Sequence, residues 1–250
     1  MKTNTMMFAL FLLTLFASNG CAANDSNANE YQKQIDAIKE LQKKSFVPRD
    51  RADIPKLRAS LNVNDYFRTL KNISLEKGWK LDFIYWVDSL GSYPIIFAKK
   101  EGTEIDFLEK YKKDYRLRSE YLNHIKIDGT KDGFLQYVIM SMIGNQFALG
   151  WHANYHDAII TCTKDAVERV LKMRNDNFYR FDEYFMNNAR KINPTPSVTF
   201  NGDQAVVRIV HYTSWGGFIE LTYNITKSFP HKIIKTERKV LVPFECGINF

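Results

Sequence analysis

One short run carries residues whose types and spacing could do chemistry. His152, His156 and Asp157 stand within six positions of one another, and His211 lies further along the chain. Imidazole and carboxylate are the donors of zinc hydrolase sites, where a bound water becomes acidic near neutral pH. Spacing alone does not decide whether they converge. If residues 151–157 were helical, His152 and His156 would share a face at i and i+4, as a chelating pair does. If the segment is a hairpin turning at Ala153-Asn154, the two rings fall on opposite faces of the sheet. Gly150 weakens a helix, Asn154 suits a turn, and Ile159-Ile160-Thr161 is β-branched, so the hairpin is the expected reading. The histidines are then structural, and a metal-dependent hydrolase at His152, His156 and Asp157 is the alternative. Cys162 beside a histidine would offer a nucleophilic pair. No GxSxG elbow, P-loop, Rossmann glycine pattern, HExxH or CxxC is present. No cofactor is implied, and the sequence favours a protein that acts by binding another envelope protein, a toxin it neutralises or an anionic surface polymer.

Two surface features could bind. Lys110, Lys112, Lys113, Arg116 and Arg118 form the densest basic patch, interleaved with Tyr111 and Tyr115. A solvated helix face is the plain explanation; contact with anionic lipid or an acidic partner is the functional one. Trp215 sits on a Gly-rich tip, Thr213-Ser214-Trp215-Gly216-Gly217, where tryptophan can insert into a partner or equally fold back onto the sheet. The net charge of +7 suits an acidic protein, an anionic membrane surface or an anionic envelope polymer. No nucleic-acid motif is present.

These residues need elements to hold them. Beyond the N-terminal segment, the most apolar part of the chain is 121–162. A short strand at 121–127 leads through Gly129 to Thr130, an N-cap, with Asp132 in the first turn of a buried helix that Gly144 ends. Before it, Tyr31, Ile35, Ile38 and Leu41 mark an amphipathic helix. Pro55 opens a helical turn, and Asn62 or Asn64 caps a helix holding Phe67, Leu70 and Ile73 that stops at Gly78. Residues 79–87 alternate with period two and return through 94–99 as an antiparallel hairpin. Residues 103–118 read as one helix with Ile105, Leu108 and Tyr111 inward. After Cys162, Thr163 caps a helix, residues 178–190 form another, and Asn193-Pro194-Thr195-Pro196 breaks the chain. Strands at 197–200, 204–213, 218–226 and 232–244 then form a meander. The fold class is α+β: N-terminal helices, antiparallel β-hairpins and a C-terminal four-stranded antiparallel meander packed on helices.

The N-terminus reads as an address rather than as structure. Lys2 precedes an apolar or small run from Met6 to Phe16, the length of a signal-peptide core. Ala17, Ser18 and Gly20 precede Cys21. This resembles the signal of bacterial lipoproteins, cleaved before a cysteine that is then lipidated. The resemblance implies a lipid anchor on Cys21, and Ala22 after it implies sorting to the outer membrane, facing the periplasm. A secreted or periplasmic form cleaved after Ala23 is the other reading. The expected organisation is a signal peptide at 1–20, a flexible tether at 21–30 and a single domain at 31–250. In an oxidising compartment Cys162 and Cys246 form an even pair, either bonded as a disulfide or packed as two separate thiols.

Overall fold

The computed structural model describes residues 25–49, 51–88, 91–151, 158–175 and 181–244. Helix α1 spans Asp25–Lys43. It begins ahead of Tyr31, where the apolar spacing starts, so residues 25–30 are helical rather than tether, and Ala28 is already buried. Helix α2 (Ile54–Ser60) carries Pro55 in its first turn, as expected. The helix expected to run on to Gly78 is instead a single 3-10 turn at Val63–Asp65 and a four-residue helix α3 (Tyr66–Thr69). Two side-chain bonds explain the early stop. Asn64 accepts from the Leu81 amide and donates to its carbonyl, so it pairs with the next strand. Ile73 is drawn into strand β1 (Ile73–Leu75), which pairs antiparallel with β4 (Ile125–Ile127).

Strands β2 (Trp79–Asp88) and β3 (Gly91–Lys100) pair over their whole length, Trp79 with Lys100 through to Asp88 with Gly91. Both faces of this hairpin are covered. Leu81, Phe83, Tyr85 and Ile96 enter the main core; Ile84, Trp86, Tyr93, Ile95 and Phe97 meet helix α4 (Phe107–Lys113). The expected 103–118 helix is therefore split. Asp106 caps α4 by accepting from the Glu109 amide, and Asp114 adopts an extended conformation that ends it. A 3-10 run, Tyr115–His124, leads to β4, so the strand expected from Tyr121 begins only at Ile125.

Helix α5 (Lys131–Ile143) is the centre of the fold, with Phe134 through Met140 all buried. Thr130 caps it, its hydroxyl accepting from the Gly133 amide. Gly144 follows in right-handed rather than left-handed conformation. A buried helix end must still satisfy its last carbonyls. Here Tyr121 donates to Met140 O, Gln42 to Ile143 O and Tyr66 to Gly144 O. Helix α1 lies alongside and runs in the same direction: Tyr31 donates to Asp132, and Gln42 reaches Ile143.

The chain beyond α5 corrects the expected central hairpin. β5 (Gly150–Trp151) pairs with β3, whereas β6 (Ile159–Thr161) pairs with β8 (Gln204–Thr213). The two strands lie in different sheets. Helix α6 (Lys164–Asn175) follows, with Thr163 accepting from the Ala166 amide. Helix α7 (Glu183–Lys191) begins after the Asp182 cap, later than residue 178. The meander holds: β7 (Ser197–Asn201), β8, β9 (Gly217–Thr226) and β10 (Ile233–Val242) are antiparallel neighbours. β6 makes it five-stranded, sharing an edge of β8 with β7, and β10 lies at the opposite edge. One face of the sheet meets α5; the other carries Val210, Tyr212 and Phe218 against α6 and α7. The fold is mixed α+β, as the sequence implies. Among the described residues, no helix is long and apolar enough to cross a membrane.

Candidate functional site

The face around α4 is built from its buried side outward. Phe107 stacks on Phe97 with ring centroids 4.3 Å apart, and Tyr111 meets Trp86 edge-on at 5.3 Å. With those rings fixed, the opposite side of α4 must face water, and Lys110, Lys112 and Lys113 lie there exposed. Asp114 turns the chain and accepts from both the amide and the guanidinium of Arg116, which holds its carboxyl below the usual carboxylate range. Tyr115 then projects, 56% exposed, its ring edge-on to Tyr111 at 5.0 Å and to Trp86 at 5.9 Å. All five cations expected to face solvent do so. They are not equivalent. Lys112 is paired with Glu109 and Arg116 with Asp114, while Lys110, Lys113 and Arg118 have no acidic partner among the described residues.

Trp215 lies on the β8–β9 turn and is 38% exposed, so its ring is partly seated. Gly217 allows that turn in two ways. Its φ of +78° favours glycine, and a Cβ there would come within 2.1 Å of the Val242 carbonyl. Gly216 passes close to the Arg238 guanidinium, which sets the tip beside β10.

The histidine constellation is not assembled from described residues. His152, His156 and Asp157 lie outside them, as do Cys21 and Cys246. Residues 152–157 connect β5 in one sheet to β6 in another. His211, the fourth member, stands on β8 opposite Ile160 and Ile219. It is buried, and its Nδ1 has no hydrogen-bond partner among the described residues. Burial, with a smaller contribution from the charge of Arg238, pushes its pKa down to about 4, so it is neutral at pH 7. Among the described residues, no group of three or more His, Cys, Asp and Glu could hold a metal. Cys162 is fully buried as a free thiol, and burial pushes it up to about 12. That is the reverse of an activated nucleophile, so the Cys–His chemistry does not fit this thiol.

The chain matches no family model, no curated protein and no solved structure.

Two features escaped the sequence. A groove of about 530 Å³ lies between α1, β6 and α6, floored by Ile35, Ile160 and Val170 and crossed by an ion pair between Asp36 and Arg169 at 3.0 Å. The spacing of α1 shows which face is apolar but not which helix lies opposite. The second is the edge of the larger sheet. In β10, residues 234–240 are all exposed, although the segment reads as an ordinary strand.

Proposed function

We propose that the chain is a non-catalytic binding module of the bacterial cell envelope, exported by its N-terminal segment and tethered through Cys21. On this reading it engages an anionic envelope polymer with the α4 face. The observation that carries the proposal is the company kept by Tyr115. Three cations without acidic partners among the described residues, Lys110, Lys113 and Arg118, lie on the same short stretch as an exposed ring buttressed by Tyr111 and Trp86. Unpaired lysine and arginine raise the local concentration of an anionic polymer. A tyrosine with an apolar body and polar tip can lie against a sugar ring. Its buttressing reduces the side-chain entropy lost on binding.

The test uses the processed chain and polygalacturonate, an anionic polysaccharide, with uncharged dextran as control. Polygalacturonate should bind and dextran should not. Binding should weaken as salt rises from about 50 to 300 mM, because exposed charges are screened. Changing Lys110, Lys113 and Arg118 together to Glu should cost at least tenfold in affinity, and Tyr115→Ala should weaken binding without changing the salt slope. Equal affinity of the wild type and the triple variant would sink the proposal.

A further inference from the structure

The open edge of the larger sheet carries an inference separate from the α4 face. β10 is an end strand of ten residues, hydrogen-bonded to β9 on one side only among the described residues. An edge of this kind offers a row of unpaired amides and carbonyls to another strand. Its side chains say what sort of strand. Lys235, Glu237 and Lys239 lie on one face by strand alternation, and Thr236, Arg238 and Val240 on the other. Glu237 is paired with Lys235. Lys239 lies opposite Glu220, but that carboxylate already accepts from Arg208 at 2.6 Å. Arg238 and Lys239 have no acidic partner among the described residues. Val240 and Ile234 are exposed on the same strand.

We propose that β10 is a docking edge for an extended, acidic segment of a partner protein, which adds to the sheet as a sixth strand. The main chain supplies the hydrogen bonds and the basic side chains supply the selectivity. The same charges argue against a second copy of this chain as the occupant. Residues 235–239 carry three cations and one carboxylate, so pairing two β10 strands brings net positive charge against net positive charge, and pairing about Glu237 sets Lys235 and Lys239 of the two copies face to face, where like charges are destabilising. An acidic strand turns that repulsion into attraction. Acids alternating with apolar residues would place carboxylates beside Lys235 and Lys239 and one beside Glu237, whose charge Lys235 already offsets, while the apolar side chains run along Thr236, the stem of Arg238 and Val240.

The test measures binding of the processed chain to a synthetic peptide of about eight residues alternating Glu with Val. Three controls accompany it: a Lys–Val peptide, a Glu–Val peptide N-methylated at successive residues, and a protein variant carrying Lys235→Glu, Arg238→Glu and Lys239→Glu. The N-methylated peptide keeps its charges but cannot donate to a ladder. The expected result is saturable binding of the Glu–Val peptide, weakened at least tenfold in each control. The Lys110, Lys113 and Arg118 variant should bind it unchanged, which separates this edge from the α4 face. Equal binding of the N-methylated peptide would show attraction by charge alone and overturn strand addition. Absence of binding at about 1 mM peptide, or sedimentation as a dimer that the β10 variant abolishes, would overturn it as well.

Discussion

Replacing Gly133 with alanine sets two effects of similar size against each other. Glycine inside a helix costs about 1 kcal/mol relative to alanine, so propensity alone predicts that Gly133→Ala stabilises α5. The surroundings predict the reverse. A Cβ on Gly133 would meet Asp128 Oδ1 at 2.5 Å, Ile127 Cγ2 at 2.8 Å and the Asn72 carbonyl at 3.0 Å. None of these yields freely. Asp128 Oδ1 accepts from the Thr130 amide and hydroxyl, and its other oxygen from Asn72 Nδ2. The Asn72 carbonyl accepts from the Asp128 amide, and the Asn72 amide donates to Gln136. Overpacking a site that cannot relax costs about 1–3 kcal/mol, and losing one of these bonds adds about 1 kcal/mol. The net expectation is a loss of about 1–3 kcal/mol, or about 2–12 °C in Tm for a chain of this size. Urea unfolding followed by circular dichroism would measure it. Lys131→Ala, an exposed position in the same first turn, should stay within about 0.5 kcal/mol of the parent. A Gly133→Ala variant as stable as the parent, or more so, would refute the claim that the β1–β4 pair and the start of α5 are locked together.

Three further outcomes follow from buried groups. His211 is held near 4 against an unfolded value of about 6.5, so the unfolded chain takes up the proton first as pH falls. Its contribution is complete above about pH 6.5 and shrinks by about 3 kcal/mol on going down to pH 4; urea midpoints at pH 7 and pH 4 should therefore move less in His211→Leu than in the parent. Lys99 is buried against Asp82 at 2.9 Å, with its other acidic contact the exposed Glu104 at 3.4 Å. Asp82→Ala should cost about 3 kcal/mol, and adding Lys99→Met should restore the part due to the stranded ammonium but not the part due to Arg58 and the Phe83 amide, which also lose Asp82; thermal melts of the single and double variants decide this. The Cys162 thiol, buried and raised to about 12, should resist iodoacetamide in native buffer and be alkylated in urea without reductant, as peptide mass spectrometry would show.

The parts of the fold that the sequence made legible rest on local chemistry. Thr130 and Asp132 mark the start of α5, and the alternation from Trp79 together with the turns at Gly202 and Gly217 place the long strands. What it hid depends on distant partners. Nothing near Ile73 announces that Ile127 will claim it for a strand, nor near Asn64 that its amide will pair with Leu81. Strands as short as β5 and β6 carry too few side chains to specify a neighbour, so the local signal for a hairpin gives way to pairing with β3 and β8. The candidate surfaces divide in the same way. That Lys110, Lys112 and Lys113 face water follows from helical periodicity, whereas Arg116 and Arg118 face it from the 3-10 run that replaces the expected helix beyond Asp114. That Glu109 and Asp114 neutralise two of those five cations, and that Arg238 lies behind the Trp215 tip, are facts of the folded chain.

The early start of α1 bears on how the module would sit if Cys21 carries lipid. Only residues 22–24 separate that cysteine from the first helical residue, Asp25. Three residues at full stretch reach about 10 Å, less than the radius of gyration of about 17 Å expected for a domain of roughly 220 residues. Such a leash is too short for the body to stand clear of the headgroups or to tumble beneath them. One side of the protein would be held toward the bilayer at all times. Whatever basic groups lie on that side would meet anionic lipid at high effective concentration, so that weak contacts persist without any being strong.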